Sequence, residues 1–303
     1  MDQRFENELK KVLSERQVKT GEPMEMHTTF RVGGPADYFV LPETKEELRE
    51  TVLLCRREEM PYYILGNGSN LLVSDKGYRG VIIQVFKSMN KIRVDGNCIH
   101  AQAGALLSAI AARALEKSLK GFEFASGIPG TLGGACVMNA GAYGGEMKQV
   151  LKQVTVLDSE GNILAIPSED LEMGYRTSII AKEGHIVLEA VIELEEGNEE
   201  EIRSLMEELK NKRVEKQPLE YPSAGSTFKR PEGYFAGKLI QDSGLRGFSV
   251  GGAQVSEKHC GFVINKDHAT AADIAELMRR VSQCVEEKFG VALEPEVKRL
   301  GEF

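Results

Sequence analysis

Ser126-Gly-Ile-Pro-Gly-Thr-Leu-Gly-Gly-Ala-Cys-Val-Met-Asn-Ala-Gly-Ala-Tyr-Gly-Gly145 carries seven glycines in twenty residues and no charged side chain. Flexible linkers of such glycine content are usually padded with Ser, Glu or Lys. Here the spacers include Ile128, Leu132, Val137 and Met138, so the segment is expected to be buried. Glycine in a buried turn admits positive φ and lets another group approach the backbone, so successive N–H groups can converge on an anion such as a diphosphate. The stretch is a candidate cofactor cradle. The same glycine density would also suit two tightly packed strands, and the stretch alone leaves that alternative open.

A second glycine loop, Gly66-Asn67-Gly68-Ser69-Asn70, follows the apolar run Tyr62-Tyr-Ile-Leu65 and favours the cradle reading. A dinucleotide fingerprint G-x-G-x-x-G would need glycine at Leu71, and no long amphipathic helix follows. The nearest approach to a P-loop, Gly233-Tyr-Phe-Ala-Gly-Lys-Leu239, is one residue short and ends in Leu where Ser or Thr would hold magnesium. ATP chemistry is therefore disfavoured. What remains is a pair of loops rich in backbone and amide donors.

The 303 residues suit about two domains at roughly 150 residues each. With 42% hydrophobic and 28% charged residues the composition is that of an ordinary globular protein. Lys and Arg number 38 against 46 acids, a net charge of -8, which argues against a nucleic-acid partner but leaves room for a local basic pocket. No apolar run approaches the roughly 18 residues of a membrane span, and Met-Asp-Gln-Arg-Phe-Glu is not a signal-peptide core. The expectation is a cytoplasmic chain without membrane insertion. Cys55, Cys98, Cys136, Cys260 and Cys284 form no C-x-x-C pair, and the five histidines are scattered, so neither a disulfide framework nor a metal site is expected.

Along the chain, Phe5, Leu9, Val12 and Leu13 give residues 2–16 the spacing of an amphipathic helix. Thr44 and Glu47 fit a capping box before a helix with Leu48, Val52 and Cys55 on one face. Short strands are predicted at 38–41 and within 81–101, with an alanine-rich helix over 105–117. A hairpin is predicted for 154–158 and 163–166 around Ser159-Glu-Gly-Asn162, then a strand over 186–194. The acidic run 195–201 reads as a solvated connector, and the domain boundary is placed near residue 200. The last third holds the loop Tyr221-Pro-Ser-Ala-Gly-Ser-Thr-Phe-Lys-Arg-Pro231, a strand at 261–265 and a helix carrying Ile274, Leu277, Met278, Val281 and Val285 behind a Thr270/Asp273 capping box.

Taken in order, Thr29-Phe-Arg-Val-Gly-Gly34, the two glycine loops, Met138-Asn-Ala-Gly-Ala-Tyr143, Tyr175-Arg176, Ala224-Gly-Ser-Thr-Phe-Lys229 and Leu293-Glu-Pro-Glu-Val297 resemble the UDP-N-acetylenolpyruvylglucosamine reductase family. The resemblance spans residues 29–297. It implies an α+β fold: an FAD-binding domain of the vanillyl-alcohol-oxidase (PCMH) type over 1–200, with an N-terminal helix and two α+β subdomains, then a smaller α+β substrate-binding domain over 201–303. It implies noncovalent FAD, NADPH as hydride donor and UDP-N-acetylglucosamine-enolpyruvate as substrate, reduced to UDP-N-acetylmuramate for cell-wall precursors.

By position, the resemblance makes Arg176, Ser226 and Glu296 catalytic: a cation and an acid for the enolate, and a serine that quenches the carbanion with a proton. Cofactor contacts fall on Arg31, Gly66, Asn67, Gly68, Ser69, Asn70, Ser126, Gly127, Ile128, Pro129, Gly130, Thr131, Gly133, Gly134, Asn139 and Gly141, and substrate contacts on Tyr175, Lys229 and Arg230. The interval from Arg176 to Ser226 is too short for the extra tyrosine loop of the family's longer form. Arg230 stands where some members have Asn. On the residues alone, Ser226 also reads as a turn hydroxyl, Arg176 as a surface ion-pair partner and Glu296 as a solvated acid. Other readings are a flavin oxidase of the same fold with Cys136 as a covalent tether, or a nonenzymatic flavin or nucleotide-sugar sensor.

Overall fold

The computed structural model describes residues 2–303, and the chain divides into two compact units. The first takes residues 2–19, Phe39–Asn67 and Val81–Arg213; the second takes Thr20–Tyr38, Gly68–Gly80 and Val214–Phe303. Each unit is thus assembled from three pieces of chain. The sequence-based boundary near residue 200 falls inside the helix Glu199–Lys216.

In the first unit, Asp2 starts the helix Gln3–Val12 by accepting the N–H groups of Arg4 (2.8 Å) and Phe5 (3.4 Å). Phe5 and Leu9, one turn apart, are buried where this helix packs on the helix Lys45–Arg57. Thr44 caps the latter through the N–H of Glu47 (3.0 Å), but the expected capping box is only half made. The Glu47 carboxylate accepts instead from the Glu43 N–H (2.7 Å) and the Gln17 amide (2.8 Å).

An antiparallel sheet of five strands follows, in the spatial order Ile163–Pro167, Leu151–Leu157, Ile186–Glu193, Cys98–Gln102, Ile92–Asp95. The predicted hairpin is its first pair, in register from Leu157↔Ile163 to Gln153↔Pro167. Val154, Val156, Leu188 and Ile192 are fully buried, each worth about 1.5–3 kcal/mol relative to exposure. Separately, Tyr62–Leu65 pairs in parallel with residues 81–84, which delivers Gly66 to the end of a strand.

Two readings are corrected here. Part of the glycine stretch is a helix, Leu132–Met138, lying against the strand Ile186–Glu193. Gly133 permits a close approach to Ala103: its N–H donates to the Ala103 carbonyl at 2.8 Å, and a Cβ there would sit 3.1 Å from the Ala103 Cβ. The acidic run is also structured. Glu195–Glu196 pairs with Leu119–Lys120, Lys120 Nζ lies 3.2 Å from Glu195, and Glu199, Glu200 and Glu201 open a helix where its dipole favours negative charge.

The second unit has one apolar core, in which Phe30, Val32 and Leu72 pack with Ile274, Leu277, Val281, Val285 and Val297. The helix Ala271–Phe289 is its main wall. Its Thr270/Asp273 capping box forms in full, and Asp75 accepts the N–H groups of Ala271 (2.8 Å) and Ala272 (2.9 Å). A three-stranded sheet, Ser249–Val250, Ala253–Val255 and Val263–Asn265, packs on this helix. Lys298–Leu300 pairs in parallel with Leu71–Val73, which fixes the arm carrying Glu296.

Candidate active site

Within the first unit the start of one glycine loop meets the other. The Asn67 amide donates to the Pro129 carbonyl at 2.8 Å, and a Cβ on Gly66 would lie 2.4 Å from the Thr131 hydroxyl. The cradle is buried only in part, contrary to expectation: Thr131, Leu132 and Gly133 are buried, whereas Gly127, Pro129 and Gly134 are exposed. Among the described residues, no protein acceptor meets the backbone N–H of Gly127, Gly130 or Gly134. Unpaired donors on residues without Cβ atoms, exposed at Gly127 and Gly134 and half-buried at Gly130, fit the diphosphate of a nucleotide cofactor such as FAD. Ser126 and Ile128 shape the turn, their N–H groups donating to Glu123 (3.2 Å) and Ala125 (3.1 Å).

Arg213 lies against this cradle, its Cδ 3.2 Å from where a Gly127 Cβ would be. Burial pulls its guanidinium below the ordinary value, with Tyr143 acting the other way, and it remains a cation at neutral pH. No motif signalled it. Gly141 and Asn139 are structural in their visible contacts. A Gly141 Cβ would meet the Gly145 carbonyl at 2.6 Å, and the buried Asn139 side chain donates to Glu146 (2.8 Å) and the Gly174 carbonyl (3.1 Å) while accepting the Lys148 N–H (2.9 Å).

The bond from Asn139 to Gly174 ties the cradle's far end to the turn that carries Tyr175 and Arg176. Gly174 and Thr177 exchange backbone bonds across it (3.1 and 3.4 Å), and the Ser178 hydroxyl donates to the Val137 carbonyl at 2.7 Å. Arg176 adopts a left-handed φ of 55°, with its guanidinium 5.3 Å from the exposed Tyr175 ring.

In the second unit, Gly68 takes φ +64°, and a Cβ on it would stand 2.0 Å from the His27 carbonyl; the Thr29 N–H donates to the Gly68 carbonyl (3.2 Å). Exposed Arg31 follows in the same turn at φ 55°. Ser69 is half-buried beside Asn70, whose amide donates to the Glu296 carbonyl at 3.1 Å. The serine loop runs antiparallel to the same arm: the Glu296 N–H donates to Thr227 O (2.9 Å), Phe228 bridges Pro295, and the Lys229 N–H donates to Glu294 O (2.8 Å). Gly225 turns left-handed at φ +73° immediately before the exposed Ser226. Asn70, Ser226 and Glu296 are thereby held on one small frame. Lys229 pairs with the Glu294 carboxylate, and Arg230 stacks on Phe235, 3.9 Å from its centroid, with Nε donating to the Tyr234 carbonyl at 3.2 Å.

A family model described as an FAD binding domain matches residues 36–166, the region that contains both glycine loops. With its mixed helices and strands, the chain is therefore an α+β flavin-dependent oxidoreductase. A second model, the C-terminal domain of UDP-N-acetylenolpyruvoylglucosamine reductase, matches residues 217–300. The enzyme of that name from Clostridioides difficile is 55% identical over 291 residues, 96% of each chain. One from Clostridium perfringens is 56% identical over 288 residues, 95% of this chain and 94% of the relative. A crystal structure of the reductase from Thermus caldophilus superposes with a TM-score of 0.80 at 37% identity, covering 94% of this chain and 98% of that one. The chain belongs to the UDP-N-acetylenolpyruvoylglucosamine reductase family.

Proposed function

We propose that the chain reduces the enolpyruvyl group of UDP-N-acetylglucosamine-enolpyruvate to give UDP-N-acetylmuramate, with NADPH as reductant, as a step in peptidoglycan precursor synthesis in the cytoplasm. The observation that carries the reading is the pairing of the Ser226 loop with the Glu296 arm through the 2.9 Å bond from Glu296 N–H to Thr227 O. It holds a hydroxyl and a carboxyl on one frame.

Residues 66–70 and 126–134, with Arg31, would hold the FAD diphosphate and its flanking groups through backbone and amide donors. Bound there, the flavin supplies hydride transfer from the nicotinamide to the methylene carbon of the enolpyruvyl group. The cofactor is read as noncovalent: Cys136 is 0% exposed, out of reach of a tether, and burial raises its thiol to about 12, which disfavours the thiolate.

The protein's own task is to manage the charge and the proton. Hydride addition leaves negative charge on the adjacent carbon, delocalised into the carboxylate, and the planar fork of Arg176 suits that enolate. Glu296 helps only as an acid or through a shared proton, since an ionised carboxylate has nothing to donate. The Ser226 hydroxyl delivers the proton to carbon. Tyr175, Lys229 and Arg230 would contact the nucleotide sugar; the exposed Lys229–Glu294 pair costs little to open. The segment between Arg176 and Ser226 is taken up by the helix Ile179–Glu183, the strands Ile186–Glu193 and Glu195–Glu196 and the helix Glu199–Lys216, consistent with the family's short form.

Anaerobic stopped-flow absorbance of the purified flavoprotein tests this. Bleaching on NADPH addition and return of colour on adding the enolpyruvyl sugar are expected, with the return slowed roughly 10²- to 10⁴-fold in Ser226→Ala. Bleaching without recolouring would move the substrate elsewhere, and a protein without flavin would overturn the reading of both glycine loops.

A further inference from the structure

We propose that Thr227, to which the resemblance assigned no role, is a positioning residue that sets the hydroxyl of Ser226 against the carboxyl arm of Glu296. This rests on the reading of Ser226 as proton donor.

Thr227 is 0% exposed and makes three bonds in three directions. Its N–H donates to the Gly261 carbonyl at 2.9 Å, its carbonyl accepts the Glu296 N–H at 2.9 Å, and its side-chain Oγ1 accepts the Val263 N–H at 2.9 Å. The first and third bonds fasten it to the segment that leads into the strand Val263–Asn265, the second to the Glu296 arm. Ser226 itself is exposed, and Gly225 before it is a left-handed turn with open space where a side chain would be, so little else restrains the serine. Gly261 is anchored in turn, its N–H donating to His259 Nδ1 at 3.1 Å.

The hydroxyl is the informative atom. The two backbone bonds of Thr227 do not involve its side chain, whereas the bond from Val263 is made to its hydroxyl. Valine has the shape of threonine without the acceptor, and it would leave a buried N–H with no partner. Relief of that N–H loosens the frame at 227, and with it the placing of the adjacent Ser226 hydroxyl against Glu296. A displacement of about an ångström in an acid–base pair is enough to cost ~10²-fold in rate.

The test uses the flavin-loaded protein and both half-reactions followed by absorbance. Thr227→Val is expected to slow colour return on adding the enolpyruvyl sugar by roughly 10- to 100-fold while bleaching by NADPH stays within about twofold, and Thr227→Ser to return within about threefold of the parent. Amide exchange at Val263 and Glu296 should accelerate in Thr227→Val and recover in Thr227→Ser. Ser226→Ala/Thr227→Val should be no slower than Ser226→Ala, because a residue acting through Ser226 has nothing left to position. Equal slowing of both half-reactions, unchanged colour return in Thr227→Val, or a further loss in the double variant overturns the proposal. Should Ser226→Ala itself recolour at the normal rate, the proton-donor reading falls and this proposal with it; a slow Ser226→Ala beside a normal Thr227→Val defeats the positioning role alone. If the valine variant does not fold, Thr227→Ala against Thr227→Ser poses the same contrast.

Discussion

At Arg31, Asn139 and Arg176 the backbone is left-handed, with φ of 55°, 46° and 55°. Such a conformation costs a non-glycine residue about 1–3 kcal/mol and persists only where surrounding bonds over-determine it. Around Arg176 those bonds are the Gly174–Thr177 exchange and the ties from Asn139 and Ser178. None of them is visible in Tyr175-Arg176 as a sequence. Gly66 gives the residue-scale test. Because a Cβ there would press on the Thr131 hydroxyl at 2.4 Å, Gly66→Ala should part the two loops and lower the flavin-to-protein absorbance ratio after desalting several-fold, while the far-UV spectrum is retained. A ratio equal to the parent's would show that this contact does not shape the cradle. Asn139 marks the limit of reading by position. Its amide and carbonyl are used inside the protein, something that depends on Glu146, Lys148 and Gly174 arriving from elsewhere in the chain.

Among the elements, those with a clear period were legible: the helix Ala271–Phe289 shows its buried face at Ile274, Leu277, Met278, Val281 and Val285, as the spacing predicts. The helix Leu132–Met138 was not, because two glycines in seven residues oppose helix propensity and its support comes from tertiary contacts, with the strands Ile186–Glu193 and Cys98–Gln102 and the helix Ile179–Glu183. The acidic run misled for a related reason. Its strand and helix-start roles come from Lys120 and from a helix dipole, neither of which shows in a row of glutamates. At this scale the Thr270/Asp273 box gives a pH test. The Thr270 N–H donated to Asp273, first, and then the other bonds to its carboxylate hold it below the usual range. A lowered folded pKa means that the stabilisation is complete above the unfolded value of about 3.9 and is lost as pH falls through the folded one. Asp273→Ala should therefore cost about 1 kcal/mol in urea unfolding at pH 7. The gap from the parent should shrink as pH drops below about 4. A gap that stays constant into acid would remove the box as its cause.

Across the whole molecule, the plan of the second unit was the least legible feature. Phe30, Val32 and Leu72 belong to a core otherwise drawn from residues 224–297, and no local pattern announces a partner some two hundred positions away. A fragment of residues 214–303 lacks those three side chains and the Leu71–Val73 strand that pairs with Lys298–Leu300. It should show weak amide protection and no sharp thermal transition, since large-to-small losses in a core cost about 2–5 kcal/mol each and a small domain has little to spare. A cooperative melt from the isolated fragment would show the borrowed residues to be dispensable. The same threading has a consequence during translation. Residues 20–38 and 68–80 leave the ribosome long before residue 214 is made; at roughly 5–20 residues per second the delay is on the order of ten seconds. Throughout that interval Phe30, Val32 and Leu72 lack the C-terminal side chains that cover them, so the nascent chain is a natural client for holding chaperones.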